Sequence, residues 1–174
     1  MSGWPGYDRA VGAWVLPLPT IDPQIVVRSA RALDRYGPDF SYGHFVTLRN
    51  PLMAAALGVG AMSVFALAQV PPARRALSRL RPAGSGPTPQ QRAKAWFRLR
   101  FVADSGERRV VTEVAGGDPG YAGASKMLAE SALCLAHDSL PSNAGQVTTA
   151  VAMGDALRAR LDAAGITFRV LEPW

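Results

Sequence analysis

Apolar positions change rhythm along the chain, and each rhythm selects an element. Residues 11–18 (VGAWVLPL) are a short apolar run closed by Pro17 and Pro19. Proline cannot donate to a strand ladder, so the run suits an edge strand or extended segment. Asp22 and Pro23 then supply a helix cap and a first helical position, and Ile25, Val26, Ser29 and Leu33 recur at helical spacing until Gly37-Pro38. Arg28, Arg31 and Arg35, with Asp34 beside them, read as its solvated face. Residues 40–48 (FSYGHFVTL) carry the aromatic and β-branched side chains of a strand, with His44 inside it as a packing or hydrogen-bonding residue.

The next stretch has no rhythm because nearly everything in it is apolar. No charge occurs from Asn50 to Ala73, and Pro51 to Ala68 (PLMAAALGVGAMSVFALA) holds Ser63 as its one polar side chain. As a helix it spans about 27 Å, close to the ~30 Å of a bilayer's hydrocarbon. Alanine and glycine dominate, so it gains less from lipid than a leucine-rich span would. Pro71-Pro72 ends the run, and residues 73–81 (ARRALSRLR) set Arg74, Arg75, Arg79 and Arg81 around Leu77 and Leu80. Cations beside an apolar helix bind anionic headgroups and keep that side cytoplasmic. The pattern therefore predicts contact with a membrane surface through 51–81. Ala56 and Gly60, four apart, also permit close approach of a second helix, so a buried core or oligomer helix is the competing reading.

Residues 82–89 (PAGSGPTP) read as linker. Residues 96–102 (WFRLRFV) alternate, placing Arg98 and Arg100 on one side and Phe97, Leu99 and Phe101 on the other; Ser105-Gly106 turns the chain, and 109–115 (RVVTEVA) returns, which predicts a β-hairpin. Asp118 is placed to cap a helix over 121–136, whose MLAESALCLA half implies burial on most sides, with Lys126 and Glu130 paired on the exposed stripe. A short strand is expected near 145–147. A helix comes next over 149–164 with Met153, Leu157 and Leu161 on one face, and a strand over 166–171 after Gly165. The fold class is α/β in the broad sense, α+β: a mixed sheet with packed helices, plus one apolar Ala/Gly-rich helix. Four segments are expected: 1–50, a partial α/β segment; 51–81, apolar helix and basic stretch; 82–94, linker; 95–174, hairpin plus α/β segment.

Composition narrows the classes. With 174 residues, 48% of them hydrophobic, the chain is no disordered tail, and its single cysteine excludes a disulfide scaffold. The opening MSGWPGY lacks the basic and apolar regions of a signal peptide, so a cytoplasmic setting is expected. The net charge of +6 is unevenly spread: 1–50 carry +1, 51–103 carry +8 and 104–174 carry −3. The excess lies directly after the apolar run, and no nucleic-acid motif accompanies it, so no nucleic-acid partner is expected.

Candidate chemistry is sparse. Gly58 to Ser63 (GVGAMS) imitates a dinucleotide loop but lies inside the apolar helix. Ala115 to Gly120 (AGGDPG) sits between strand and helix, where free amides hold anions; Asp118 repels a phosphate there, and a turn with a cap explains the same residues. Cys134, His137 and Asp138 resemble a thiol, base and acid, but Cys134 lies in an apolar run and reads as an inert core thiol. These residues offer no metal site and no cofactor-binding residue, and no catalytic residue is assigned.

Gly116 to Ala136 (GGDPGYAGASKMLAESALCLA), followed by Ala144 to Val170, resembles the C-terminal part of saccharopine-dehydrogenase-like oxidoreductases, in particular the trans-acting enoyl reductase branch of actinobacterial lipid pathways. Residues 6–45 resemble the same branch. The resemblance implies a substrate or dimer domain and an intact enzyme that reduces a double bond in a lipid or polyketide intermediate with NADPH or NADH. It places this chain in the second half of that enzyme, without the Rossmann domain and inactive alone. A homodimer or a nucleotide-binding partner chain is then expected, at the inner face of the plasma membrane where 51–81 docks. Should residues line a substrate cleft, Tyr121, Lys126 and His44 are the candidates. The alternative is a non-enzymatic membrane-surface or scaffold module.

Overall fold

The computed structural model describes residues 6–9, 11–80 and 86–172. Met1 to Pro5, Arg81 of the basic stretch and 82–85 of the expected linker lie outside the described residues. The chain forms two compact units. One comprises the described residues up to Ala30 and from Tyr36 to Gly86, the other Arg31–Arg35 and the residues from Pro87 onward.

In the first unit β1 (Gly6–Asp8), β2 (Ala13–Pro17) and β3 (Phe45–Leu48) form an antiparallel sheet in that order. The run expected to be an edge strand or an extended segment is therefore the central strand. It tolerates Pro17 because that residue is its last, paired with Phe45. Gly12, at φ +66°, closes the turn from β1, where the Asp8 carboxylate accepts from the Val11 amide. Helix α1 (Asp22–Arg31) starts at the expected cap but buries Ser29 and Ala30 rather than Ile25, and ends before Leu33. A 3-10 turn over Asp34–Tyr36 comes next.

Helix α2 covers Pro51–Ala68, the whole uncharged run. The Asn50 side chain accepts from the Leu52 amide, and proline at the first position needs no amide partner. α3 (Pro71–Leu80) begins on Pro71-Pro72, so the prolines that end one helix open the next.

In the second unit α4 (Pro89–Lys94) lies within the stretch read as linker. Its start is a capping box: the Thr88 hydroxyl accepts from the Gln91 amide at 3.2 Å and the Gln91 side chain accepts from the Thr88 amide at 2.8 Å. β4 (Trp96–Ser105) and β5 (Arg108–Gly117) form the predicted hairpin through Gly106 at φ +62°, and β6 (Thr167–Glu172) pairs antiparallel with β5. Strand alternation puts Phe97, Leu99 and Phe101 on one sheet face and Arg98 and Arg100 on the other. Glu113, nearly buried, lies 3.2 Å from the Arg100 guanidinium and 3.5 Å from that of Arg98. Both sheets are antiparallel and, with seven α-helices among the described residues, give an α+β fold.

Helix α5 (Ala122–His137) buries one narrow stripe, not most of its circumference. Gly123, Met127, Glu130, Ser131 and Cys134 share that stripe, whereas Leu128 and Leu135 stand exposed at 73% and 60%. One neighbouring helix and one sheet cover only one side of a cylinder. No strand forms at 145–147. The helix expected over 149–164 is two: α6 (Thr149–Ala152) and α7 (Gly154–Ala163), separated at Met153 because Gly154 adopts φ +46°. Met153 is buried at that corner, at 4% exposure, and Ile166 is equally buried in the same small unit.

Candidate functional site

The chain turn that opens α5 is set by Asp118. One carboxylate oxygen accepts from the Gly120 amide at 3.1 Å, the other from the Ala122 amide at 3.0 Å, and its carbonyl accepts from the Gly123 amide at 2.8 Å. The carboxylate's backbone bonds, the one from Ala122 foremost, with Arg92 nearby, hold the Asp118 carboxyl below its ordinary value. The turn is thus a helix cap, and the amides that an anion would need are bound to a carboxylate of the chain itself. The glycines nearby serve packing. A Cβ on Gly116 would sit 2.7 Å from the Phe97 ring, and one on Gly123 would collide with the Asp118 carbonyl.

Beside this cap, α4 and the first turn of α5 enclose an open cleft of about 610 Å³. Arg92 and Ala93 line one wall, Tyr121 and Ser125 the other, and Gly117 with Asp118 the floor. The Arg92 guanidinium stands 5.6 Å from the Tyr121 ring centre, a cation over an aromatic face. Two hydroxyls, one cation and apolar walls suit a small amphipathic ligand with a carbonyl end. Tyr121, one of the expected residues, lines this cleft. Arg92 and Ser125 were missed; the T-P-Q-Q capping-box signature at 88–91 is the signal that places α4, and with it Arg92.

Lys126 does not line the cleft and does not pair with Glu130. Its ammonium donates to the Ala164 carbonyl at the end of α7, near Gly165. Glu130 instead lies 3.5 Å from Arg160, whose guanidinium makes two short bonds to Asp138, at 2.6 and 2.7 Å. That fork, joining the end of α5 to α7, holds the Asp138 carboxyl down to about 2, with the Cys134 thiol contributing a further bond. Burial pushes the Cys134 thiol upward, and Asp138 adds to it. A buried thiol kept protonated is a poor nucleophile, consistent with an inert core role. His137 is exposed on the last turn of α5.

His44 belongs to the first unit. Its Nδ1 lies 3.1 Å from the Tyr42 hydroxyl, and its carbonyl accepts from the Leu18 amide. Asp22, held below its usual range chiefly by a bond from the Thr20 side chain, also feels the His44 charge. Burial raises the Tyr42 phenol, reinforced by Asp22. The Tyr42 phenol thus meets the His44 ring from two residues away along the chain. Tyr42 was missed; its position two residues before His44, on the same side of an extended segment, is the available signal.

Neither glycine motif forms a dinucleotide loop. Gly58 to Ser63 are helical, with amides committed to the α2 ladder, and the Gly116 to Gly120 turn is closed by Asp118. Among the described residues, no three metal-ligating side chains converge.

The chain is similar to mycobacterial proteins named as trans-acting enoyl reductases. One from Mycobacterium tuberculosis H37Rv is 34% identical over a 177-residue alignment covering 91% of this chain and 41% of that protein. One from Mycobacterium ulcerans is 32% identical over 157 residues, covering 81% of this chain and 37% of its own length. One from Mycobacterium bovis BCG is 33% identical over 157 residues, with coverage of 81% and 37%. The chain spans about two fifths of the length of the curated relatives it matches. No family model matches it, and neither does any solved structure.

Proposed function

We propose that this chain is the substrate- or dimer-domain part of a trans-acting enoyl reductase, an oxidoreductase that saturates the carbon–carbon double bond of a lipid or polyketide intermediate. The observation that carries the reading is 34% identity extending over 91% of the chain to a protein of that name. In this reading the saccharopine-dehydrogenase-like architecture supplies a Rossmann half, which binds NADPH or NADH, from polypeptide other than these residues. Two features support that division: the closed turn at Asp118, and exposed apolar side chains on α5 for which a further domain or a second copy is a natural cover. The cleft between α4 and α5 is then a substrate-facing surface, with Arg92 and Tyr121 orienting the carbonyl end of the substrate. A cytoplasmic enzyme fits this chemistry.

The test has two arms. Calorimetric titration of this chain with NADPH is expected to show no binding; binding by the chain alone overturns the division. Fused to the nucleotide-binding part of a matched relative, the chain is expected to support NADPH oxidation by an enoyl thioester. A fusion that binds NADPH yet reduces no enoyl thioester overturns the reductase reading. Arg92→Ala in an active fusion should raise KM about tenfold with little change in kcat, as expected for loss of one charged substrate contact.

A further inference from the structure

Helix α2 is apolar on every side, yet its own unit covers almost none of it. Leu52, Met53, Leu57, Val59, Met62, Val64, Phe65 and Leu67 are all exposed. At 100° per residue they point to every quarter of the circumference. Only Ala54, Gly58 and Ala68 are half-buried, and the helix meets the strands β2 and β3. A helix apolar all round is stable in water only when something surrounds it. Either a larger protein core or hydrocarbon can cover every face that the sheet leaves free, and the charges that follow the helix favour hydrocarbon.

The charge at the far end of α2 identifies the kind of hydrocarbon phase. Beyond Gln69 and Val70, Pro71 opens α3, on which Arg74, Arg75, Ser78 and Arg79 are exposed while Ala73 and Leu77 are half-buried. The three arginines lie on one half of the helix and the alanine–leucine strip on the other. They have no ion pair among the described residues, and no acidic residue occurs between Asn50 and Val102. Uncompensated cations at the end of an uncharged helix complement anionic lipid headgroups at the edge of hydrocarbon.

We propose that α2 and α3 form a membrane-docking element, α2 entering the hydrocarbon of a bilayer and Arg74, Arg75 and Arg79 engaging anionic headgroups. Membrane docking of this kind is independent of the enoyl reductase reading.

Flotation of the full chain with vesicles of phosphatidylcholine alone, or mixed with phosphatidylglycerol, tests it at low and high salt. Expected is flotation with the anionic vesicles that weakens as salt rises. Replacing Arg74, Arg75 and Arg79 by alanine should lower partitioning about a hundredfold, at about fivefold per arginine. Phe65→Trp, a conservative change at an exposed position, should show emission quenched by bromine-labelled acyl chains. Met62→Asp should abolish flotation with its far-ultraviolet circular dichroism unchanged. Absence of flotation from both vesicle types overturns the proposal. So does an unquenched Phe65→Trp in the presence of lipid, or a dimer in lipid-free solution that Met62→Asp dissociates, which would identify a second copy as the cover.

Discussion

Two apolar helices of nearly equal length, α2 in the first unit and α5 in the second, have opposite surroundings. α5 is tied at its start by the Asp118 cap, in its first half by Lys126 on the Ala164 carbonyl, and at its end by the Arg160 fork on Asp138. Its small residues and Cys134 seat one stripe against its neighbours. α2 has a cap at Asn50 and otherwise side-chain bonds to its own backbone, such as Ser63 to the Val59 carbonyl. Polar anchors at fixed positions dock a helix; apolarity without them leaves its partner to the medium. The contrast explains why two similar apolar runs support different inferences, one about packing and one about a surface.

The sharpest way to break this comparison uses one residue type on both sides. Met153→Ala, at the buried corner before α7, should cost about 2–4 kcal/mol in urea unfolding, whereas Met62→Ala should stay within about 0.5 kcal/mol. Equal losses would mean that α2 is packed after all. Glycine gives the next largest contrast. Gly123→Ala drives a Cβ into the Asp118 carbonyl and should destabilise by about 1–3 kcal/mol. Gly60→Ala meets nothing within 4 Å and should instead stabilise by about 0.5–1 kcal/mol, through helix propensity alone.

The smallest expected effect is a titration. Asp138 protonates at about 2 in the folded protein against an ordinary value of 3.8. Between those values the unfolded chain binds the proton first, so this stabilisation is complete above about pH 5 and is lost as pH falls toward 2. In Arg160→Met the carboxyl should move back toward 3.8, read by carbon NMR of the aspartate, and the acid limb of unfolding should rise with it. An Asp138 that keeps its low value without Arg160 would show that the fork does not secure the end of α5.

Local chemistry made much of this legible. The hairpin from 96 to 117, the α2 boundaries, the Asp118 cap and the inert Cys134 are all set by alternation, proline position, capping residues and apolar context, which act within a few residues. The missed features needed longer reach or a finer signal. α4 hides in a stretch whose prolines and glycines read as linker, although its capping box is visible at 88–91. The break at Met153 depends on one glycine taking a left-handed conformation. The candidate site divides the same way: Tyr121 came from a resemblance, while Arg92 joined it only through the folding of α4 against the α5 turn.

The order of residues alone determined most of the helices and strands, among them α2, α5 and the hairpin, and where charge is concentrated, because propensity and capping are settled between neighbours. Only the tertiary structure decided that β2 is central, that Lys126 binds a carbonyl instead of Glu130 and that α2 is left uncovered within its unit. Those outcomes depend on which surfaces meet across tens of residues, and a pattern of apolar positions specifies what must be covered without specifying by what.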